Sequence, residues 1–390
     1  MTVLVINSGS SSIKYQLVNP ETGESIATGL VERIGEPEGH FEHEYNGETT
    51  ELFQPVPNHE VGLREVIRLF NEVGPKLDEA GIQAVGHRVV QGGKHFNKAV
   101  IVDDAVEDLI TELIPLGPLH NPANLEGIKV ARELFDVPNV AVFDTAFFQG
   151  LPNESATYAL DRETAEKYQI RRYGAHGTSH QYVSGRVSKL LGRDDLKQIV
   201  LHLGNGASVS AVVNGKAVDT SMGLTPLEGL MMGTRVGDID PAAVFHLHRV
   251  AGMSIDEIDN LFNKQSGLKG LAGDNDMRGV CQMAADGDEN AIEALEVYIH
   301  RLLMYIGGYT AVMGGLDVIT FTAGVGENSD EIRGMVLDRL AGFGIKYDAE
   351  KNATRSKEER TISTEDSTVR VMIVPTNEEL AIAQQAVALV

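Results

Sequence analysis

Short apolar runs and longer stretches of helical periodicity alternate along most of the chain. Residues 84–89, 140–143, 318–322 and 369–374 are short runs rich in Val and Ile, which predicts buried strands. Apolar residues recur at helical spacing elsewhere, and helices are predicted at residues 61–70, 102–113, 124–135, 162–168, 179–191 and 291–313. Strands that alternate with helices indicate an α/β fold.

Turn and capping residues mark further elements. Residues 21–58 are mostly polar, and their short alternating runs predict small antiparallel strands at residues 40–45 and 49–53. Asp240 followed by Pro241 predicts a helix start, with an acidic N-cap and proline at the first helical position. Asn377 is predicted to cap a final helix that carries Glu378 in its first turn.

One segment near the start of the chain, residues 3–14, returns in altered form at residues 200–210. Each copy predicts a short strand, a turn of Gly, Ser and Asn residues, and a second strand. The first Gly-rich turn comprises residues 7–12, and the second comprises residues 204–208. A third Gly-rich turn, residues 324–328, follows the strand at 318–322. Small residues at such turns let backbone N–H groups approach an anion closely. The repeated hairpin predicts two related domains that face each other across a phosphate-binding cleft.

Composition narrows the class of protein. A chain of 390 residues is long enough for two domains with separate cores. With 33 Lys and Arg against 56 Asp and Glu, the net charge of −23 argues against nucleic acid or an anionic membrane as partner. The single cysteine, Cys281, allows no internal disulfide. No leader pattern or apolar run of membrane-spanning length is evident, so we expect a soluble, cytoplasmic protein.

Because the chain is acidic, a nucleotide site needs local cations, and four are candidates. Lys14 leaves the first Gly-rich turn, Arg88 precedes Gly-Gly at residues 92–93, and Arg235 lies in the Gly-rich segment 220–240. Arg278 is a weaker candidate. A guanidinium in a Gly-rich loop suits bidentate recognition of carboxylate or phosphoryl oxygens. Each of these residues, taken alone, is equally compatible with an ordinary solvated surface position.

Three further residues are candidates for chemistry. His176 lies between glycines before a predicted helix, where it is either a catalytic loop residue or a structural histidine. Asp144 ends a buried strand, a place where α/β enzymes present functional carboxylates. Glu378 either complements the dipole of the final helix or holds metal-bound water for Mg²⁺.

Together these segments resemble the acetate kinase family, within the acetate and sugar kinase, Hsp70 and actin superfamily. The matching blocks are residues 7–14, 87–93, 143–147, 174–180, 202–208, 219–241, 323–328 and 375–379. The resemblance covers essentially the whole chain. It implies an α/β fold of two duplicated, RNase H-like domains with an interdomain active-site cleft. The N-terminal domain would comprise residues 1–148, completed by a C-terminal helix at 379–390, and residues 149–378 would form the nucleotide-binding domain.

The resemblance implies an ATP:acetate phosphotransferase that forms acetyl phosphate and ADP reversibly, with Mg²⁺ or with Mn²⁺ in its place, and that assembles as a homodimer. It assigns catalysis to Arg88, Asp144, His176 and Arg235, and the acetate pocket to Arg88, Val90, Leu119 and Pro226. It assigns the metal to Asn7 and Glu378. It assigns the nucleotide to Lys14, His202, Leu203, Gly204, Asn205, Gly206, Asp276, Met277, Arg278, Gly324, Val325, Gly326, Glu327 and Asn328.

The chain departs from the family pattern at two positions. Ala175 stands where the family often has Phe beside the histidine, which is expected to enlarge the acyl pocket. Val236 follows Arg235 where Ser or Cys is usual. Two alternatives to an acetate kinase therefore stay open. One is another short-chain acyl kinase, since a methylene changes binding by only about 1–3 kcal/mol. The other is an ATP-driven binding module on the same fold.

The chemistry of the acceptor predicts how the carboxylate of Asp144 acts. With a pKa of roughly 4, acetate is already ionised at neutral pH, so an enzyme needs no base to activate it. The obstacle is the approach of one anion to another, and positive charge removes it. We therefore expect Asp144 to orient Arg88 and balance its charge, although the family resemblance gives it the role of catalytic acid.

Overall fold

The computed structural model describes residues 1–390, which form two compact units. The first comprises Met1–Gln149 and Asn377–Val390, and the second comprises Gly150–Thr376. The family resemblance implies a second boundary after residue 378, whereas Asn377 and Glu378 group with the first unit. None of the helices combines the length and apolar character needed to cross a membrane.

The first unit is built on an eight-stranded mixed sheet. Its strands are β1 (Thr2–Ser8), β2 (Ser12–Val18), β3 (Ser25–Glu32), β4 (Gly39–Tyr45), β5 (Glu48–Gln54), β6 (Ile82–Val89), β7 (Val100–Ile101) and β8 (Asn139–Phe143). They lie in the order β5-β4-β3-β2-β1-β6-β8-β7. The strands from β1 to β5 pair with one another antiparallel, β6 is parallel to both β1 and β8, and β7 is antiparallel to β8.

The second unit repeats the centre of this plan in a six-stranded sheet. Its strands are β9 (Lys197–Leu203), β10 (Ala207–Val213), β11 (Lys216–Thr220), β12 (Val318–Thr322), β13 (Arg360–Thr361) and β14 (Arg370–Ile373), in the order β11-β10-β9-β12-β14-β13. Three antiparallel strands are followed by two parallel ones, as in β3-β2-β1-β6-β8. The predicted α/β class with duplicated domains is therefore confirmed.

Helices cover the faces of both sheets. In the first unit they are His59–Val73, Asp104–Glu112, Asn121–Leu134 and Glu378–Val387, with 3₁₀ turns at Ile114–Leu116 and Ala146–Phe148. In the second unit they are Asn153–Ala156, Arg162–Lys167, Gly177–Leu191, Ala242–Ala251, Ile255–Lys264, Gly267–Ala272, Met277–Ala285, Glu289–Met313, Ala323–Asn328, Asp330–Arg339 and Ala349–Ala353, with a 3₁₀ turn at Ala341–Phe343.

The predicted strands and helices are confirmed apart from shifted ends and two local corrections. The helix after Asp240 begins at Ala242, with Pro241 in the N-cap position, and the Asp240 carboxylate accepts the Ala242 N–H at 2.9 Å. The third Gly-rich turn is a short helix, Ala323–Asn328, that starts directly at the end of β12. Its fold depends on Glu327, whose carboxylate accepts the Ala323 N–H at 2.8 Å and so closes the first helical turn.

The C-terminal helix completes the core of the first unit. Ile382, Ala383 and Ala386 are buried against Val3, Val5, Ala84 and Val140 of the sheet. The contact is close because Gly86 of β6 has no side chain: a Cβ there would lie 2.7 Å from Cγ2 of Ile382. Asn377 caps the helix as predicted, with its side-chain oxygen 2.9 Å from the Leu380 nitrogen.

This packing predicts an energetic coupling between Gly86 and Ile382. Ile382→Ala removes a buried side chain and should lower the free energy of unfolding of the first unit by about 2–5 kcal/mol. Gly86→Ala should also be destabilising alone, but much less so beside Ile382→Ala, because the shortened side chain leaves room for the new methyl group. Urea unfolding of the two single variants and the double variant measures the coupling. Strictly additive effects would contradict this packing, and Leu389→Ala is the exposed control.

Candidate active site

An ion pair lies at the carboxyl ends of β6 and β8. The strands pair in parallel with Val89 opposite Phe143, which places Arg88 and Asp144 side by side although 56 positions separate them. The Arg88 guanidinium donates to Asp144 from Nη2 at 2.6 Å and from Nε at 3.1 and 3.2 Å. Asp144 is buried, and its charge raises the pKa of Arg88 above the usual value. Asp144 therefore fixes the direction of the guanidinium, whose Nη1 hydrogens it leaves for another anion.

Two further carboxyl groups approach the same guanidinium. Glu378 lies with its Oε2 atom 3.8 Å from Nε of Arg88, and Glu379 adds its charge nearby. Burial raises the pKa of Glu378 to about 7; Arg88 opposes this shift, while Asp144 and Glu379 add to it. Three carboxyl groups around one guanidinium leave a surplus of negative charge. A divalent cation would balance that surplus.

The residues predicted to hold a metal fit Mg²⁺ in their chemistry. The amide of Asn7, at the end of β1, and the carboxylate of Glu378 supply the oxygen donors that Mg²⁺ prefers. Both belong to the first unit. Mg²⁺ keeps several water ligands and takes one or two carboxylates beside substrate phosphates, so a small donor set suffices. The local surplus of carboxyl groups fits the same ion.

The side chain of His59 supports the first Gly-rich turn. The Gly9 N–H donates to Ser12 at 2.8 Å to close the turn, and Nε2 of His59 lies 2.7 Å from the Gly9 carbonyl. His59 is buried, with Glu126 3.4 Å from its other ring nitrogen. Lys14 leaves the turn on β2 with an exposed side chain. The turn is thus fixed while its lysine is accessible to an anion.

Two asparagines that the sequence analysis missed connect the strand ends of the first unit. The Asn124 side chain accepts the Val90 N–H at 3.1 Å and donates to the Ser8 carbonyl at 2.7 Å. Asn121 makes a pair of hydrogen bonds with the backbone of Gln91. The sequence does contain a signal for these asparagines, because the proline at residue 122 marks a helix start at Asn121 rather than at 124. Of the predicted acetate-pocket residues in this unit, Val90 is half-buried and Leu119 is exposed.

In the second unit, His176 adopts an uncommon backbone conformation at the start of the helix Gly177–Leu191. Its φ of 58° and ψ of 22° lie in the left-handed region, which is costly for a residue with a side chain. Its ring stacks on His202 with centroids 4.2 Å apart, and Nδ1 is 2.9 Å from the Ser208 hydroxyl. The preceding residue, Ala175, is buried in the core of this unit. Strain held by so many contacts points to a functional side chain.

Arg235 lies in a loop that hydrogen bonds of other side chains hold in place. Its Nη1 donates to the Pro226 carbonyl at 3.0 Å. A Cβ at Gly206 would lie 3.5 Å from Nε2 of His176 and 3.6 Å from Nη1 of Arg235, so both side chains border the second Gly-rich turn. Asp238 accepts the Gly229 N–H at 2.9 Å and the Tyr305 hydroxyl at 2.8 Å, which joins the two ends of the loop to the long helix.

A half-buried ion pair supports the other side of this loop. Glu228 accepts hydrogen bonds from Arg172, at 2.8 Å, and from the Tyr158 hydroxyl. Arg172 also donates to the carbonyls of Ser221 and Met222. No local sequence pattern distinguishes these residues from surface charges.

The second unit contains a cavity of about 770 Å³. It is lined by the predicted nucleotide residues Gly204, Asn205, Asp276, Met277, Arg278, Gly324, Val325 and Asn328. Asp276 caps the helix Met277–Ala285, and hydrogen bonds from the Arg278 side chain and backbone lower its pKa to about 2. Further polar residues of the wall, which no sequence pattern indicates, are Asn275, Gln282 and Arg355. The cavity has the size and the mixed polar and apolar wall of a small-molecule site.

Six predicted nucleotide residues lie outside the cavity wall. Lys14 belongs to the first unit. His202 lies behind His176, and Leu203 and Gly326 are buried. Gly206 borders His176 and Arg235. Glu327 accepts the backbone N–H groups of Ala323 and Thr376, so its carboxylate is used within the fold.

The two duplicated α/β units are shared with short-chain acyl kinases of known structure, which superpose on essentially the whole chain. The structure superposes on Porphyromonas gingivalis acetate kinase with a TM-score of 0.95, 42% identity and 99% coverage of both chains. A propionate kinase from Francisella tularensis gives the same score and identity with 100% coverage of both.

The sequence comparisons give the family. The Acetokinase family model matches residues 2–384. The acetate kinase of Leifsonia xyli subsp. xyli is 55% identical over 387 residues, with 98% of each chain covered. The chain belongs to the Acetokinase family, as the resemblance predicted.

Proposed function

We propose that the protein catalyses the reversible, Mg²⁺-dependent transfer of the γ-phosphoryl group of ATP to acetate, giving acetyl phosphate and ADP. The observation that carries this proposal is the Arg88 guanidinium, held by buried Asp144 at 2.6 Å so that its remaining edge suits a carboxylate. Full-length similarity to acetate kinases supports the same reaction.

The arginines meet the main electrostatic demand of the reaction. Acetate and the γ-phosphoryl group are both anions at neutral pH, so their approach requires compensating positive charge. Arg88 would bind the acetate carboxylate, with Val90, Leu119 and Pro226 around its methyl group. Arg235, held by Pro226, and the His176 ring would stabilise charge on the transferring phosphoryl group. Positioning and electrostatic stabilisation account for most of the catalysis of phosphoryl transfer, which we propose to be direct and in line.

The nucleotide would occupy the cavity of the second unit. The backbone of Asn205, Gly324 and Val325, which line the cavity, would contact phosphate oxygens. The Gly204 N–H donates to the Gly206 carbonyl and the Ala323 N–H donates to Glu327, so these two groups support the fold instead. Lys14 would contact the terminal phosphate. When bound, Mg²⁺ neutralises charge on the phosphates, and Asn7 and Glu378 would hold it. Asp144 would act by orienting Arg88, since an ionised acceptor needs no base.

The test of this function is trapping of acyl phosphate by hydroxylamine with Mg-ATP and acetate, propionate, butyrate or glycerol. We expect acyl hydroxamate with the highest kcat/KM for acetate. A propionate optimum would overturn acetate as the preferred acceptor and leave an acyl kinase. ATP hydrolysis that no carboxylate changes, without acyl phosphate, would overturn the kinase and favour a binding module.

The role of Asp144 gives a second prediction. Asp144→Asn removes the charge that directs Arg88 but keeps the side-chain volume. We expect kcat/KM for acetate to fall by about 10–100-fold, as when a group that orients a metal ligand is removed, and to a similar extent at pH 6 and pH 8. Steady-state kinetics at both values measures this, with the exposed Asp338→Asn as control. Nearly full turnover would make Asp144 dispensable, and a loss confined to high pH would favour a base.

We further propose that two copies of the chain associate through the helix Ala242–Ala251. This helix has no buried residue although most of its side chains are apolar. Phe245 is 55% exposed and Val250 71% exposed, and Ile255 on the next helix is 61% exposed. An exposed apolar surface of this kind is typical of a protein–protein interface. The long helix Glu289–Met313, by contrast, places Leu295, Tyr298 and Leu302 in the core of its own unit.

Charge placed on this helix should separate the copies. We expect the parent protein to have twice the 42.2 kDa mass of one chain by light scattering after gel filtration. The double variant Phe245→Asp, Val250→Asp should have the mass of a single chain, because burying the new carboxylates is unfavourable. Phe343→Asp, at a 73% exposed aromatic residue on another segment, is the matched control and should stay dimeric. A monomeric parent, or a dimeric double variant, would contradict this interface.

A further inference from the structure

A series of hydrogen-bonded side chains lies behind His176. The Ser210 hydroxyl is 2.7 Å from Nδ1 of His180, and Nε2 of His180 is 2.8 Å from the Ser208 hydroxyl. The same Ser208 oxygen is 2.9 Å from Nδ1 of His176. The serines are two positions apart on β10 and therefore on one face, and the histidines are one helical turn apart. The strand β10 thus supplies the serines of the series, and the start of the helix Gly177–Leu191 supplies the histidines that alternate with them.

Hydrogen-bond donors and acceptors favour one order of protons along it. Burial, together with nearby His202, holds the pKa of His180 well below its usual range, so the ring is neutral and has one N–H. The Ser210 hydroxyl is fully buried, and its side-chain hydrogen bond is with His180. If Ser210 only accepted there, its own hydrogen would be buried without an acceptor, which is unfavourable. Ser210 therefore donates to Nδ1 of His180.

The rest of the order follows from the single hydrogen on each group. With Nδ1 accepting, the proton of His180 is on Nε2, which donates to the Ser208 oxygen. Ser208 then donates its own hydrogen to Nδ1 of His176. A histidine whose Nδ1 accepts a hydrogen bond has its proton on Nε2. That nitrogen is the one near Gly206 and Arg235, at the second Gly-rich turn.

We propose that Ser208 is a positioning residue, which holds His176 as the neutral tautomer with its proton on Nε2. This inference rests on the proposed function in one respect, the contact of His176 with the transferring phosphoryl group. In that tautomer His176 presents a hydrogen-bond donor to a phosphoryl oxygen. In the reverse order it would present a lone pair, which repels the oxygen. The left-handed backbone of His176 and its stacking on His202 fix the ring, and Ser208 determines which nitrogen has the hydrogen.

The tautomer is directly measurable. Long-range proton–nitrogen correlation spectra of the full chain with ¹⁵N-labelled histidine distinguish the two neutral tautomers, and a His176→Gln variant assigns the signals. We expect the Nε2–H pattern for His176 in the parent protein. In Ser208→Ala we expect a mixture of both tautomers and a kcat about 10–100-fold lower, with little change in KM for acetate or Mg-ATP.

Two other serines provide the comparison. Ser210→Ala should shift the tautomer in the same direction by a smaller amount, and it tests the proposal separately if Ser208→Ala does not fold. Ser184→Ala is the matched control, because it removes a buried hydroxyl that bonds only to backbone carbonyls of the helix. It should leave both the spectrum and kcat unchanged.

The outcomes separate this inference from the proposed function. An Nδ1–H pattern in the parent, an unchanged tautomer in Ser208→Ala, or a kcat of Ser208→Ala equal to that of Ser184→Ala would overturn the role of Ser208. Absence of acyl phosphate from the parent protein would overturn the proposed function instead, while the spectra would still report on the tautomer.

Discussion

Parallel pairing of the central strands is the constraint on which the candidate site depends. In the first unit β1, β6 and β8 run the same way, so Asn7, Arg88 and Asp144 emerge at one edge of one sheet. In the second unit β9, β12 and β14 also run the same way. Their shared direction brings together the second Gly-rich turn, the start of the helix Ala323–Asn328 and the segment before Asn377. A shift of one residue in any of these registers would turn the polar end residues to the other face.

The duplicated hairpin has different surroundings in the two units. In the first, the turn after β1 rests on a buried histidine, His59, and lies in the unit that contains the Arg88–Asp144 centre. In the second, the turn after β9 adjoins the cavity and is bordered by His176 and Arg235. The same central strand order therefore supports the Arg88–Asp144 ion pair in one unit and a cavity of about 770 Å³ in the other. The side chains around each hairpin, rather than the backbone plan, distinguish the two units.

In this acidic chain, paired carboxylates support both candidate arginines, directly at Arg88 and through the loop at Arg235. A net charge of −23 disfavours anionic ligands, so the cations at the site must be held in place. Asp144 does this for Arg88 through hydrogen bonds to two guanidinium nitrogens. For Arg235 the loop itself is held in place, because Tyr305 donates a hydrogen bond to Asp238 and Arg172 donates one to Glu228. Each support costs desolvation, which is acceptable because the groups are paired.

The sequence by itself determined the α/β class, the repeated hairpin, most strand and helix positions and the Asn377 cap, because these depend on local periodicity and on the conformational preferences of neighbouring residues. The family resemblance also named Arg88, Asp144 and His176. Only the tertiary structure decided that Asp144 grips Arg88 across 56 positions, that Asn124 joins Ser8 to Val90, and that Ser208 lies between two histidines. These contacts depend on strand register and on helix packing against the sheets, which bring together residues that no local pattern connects.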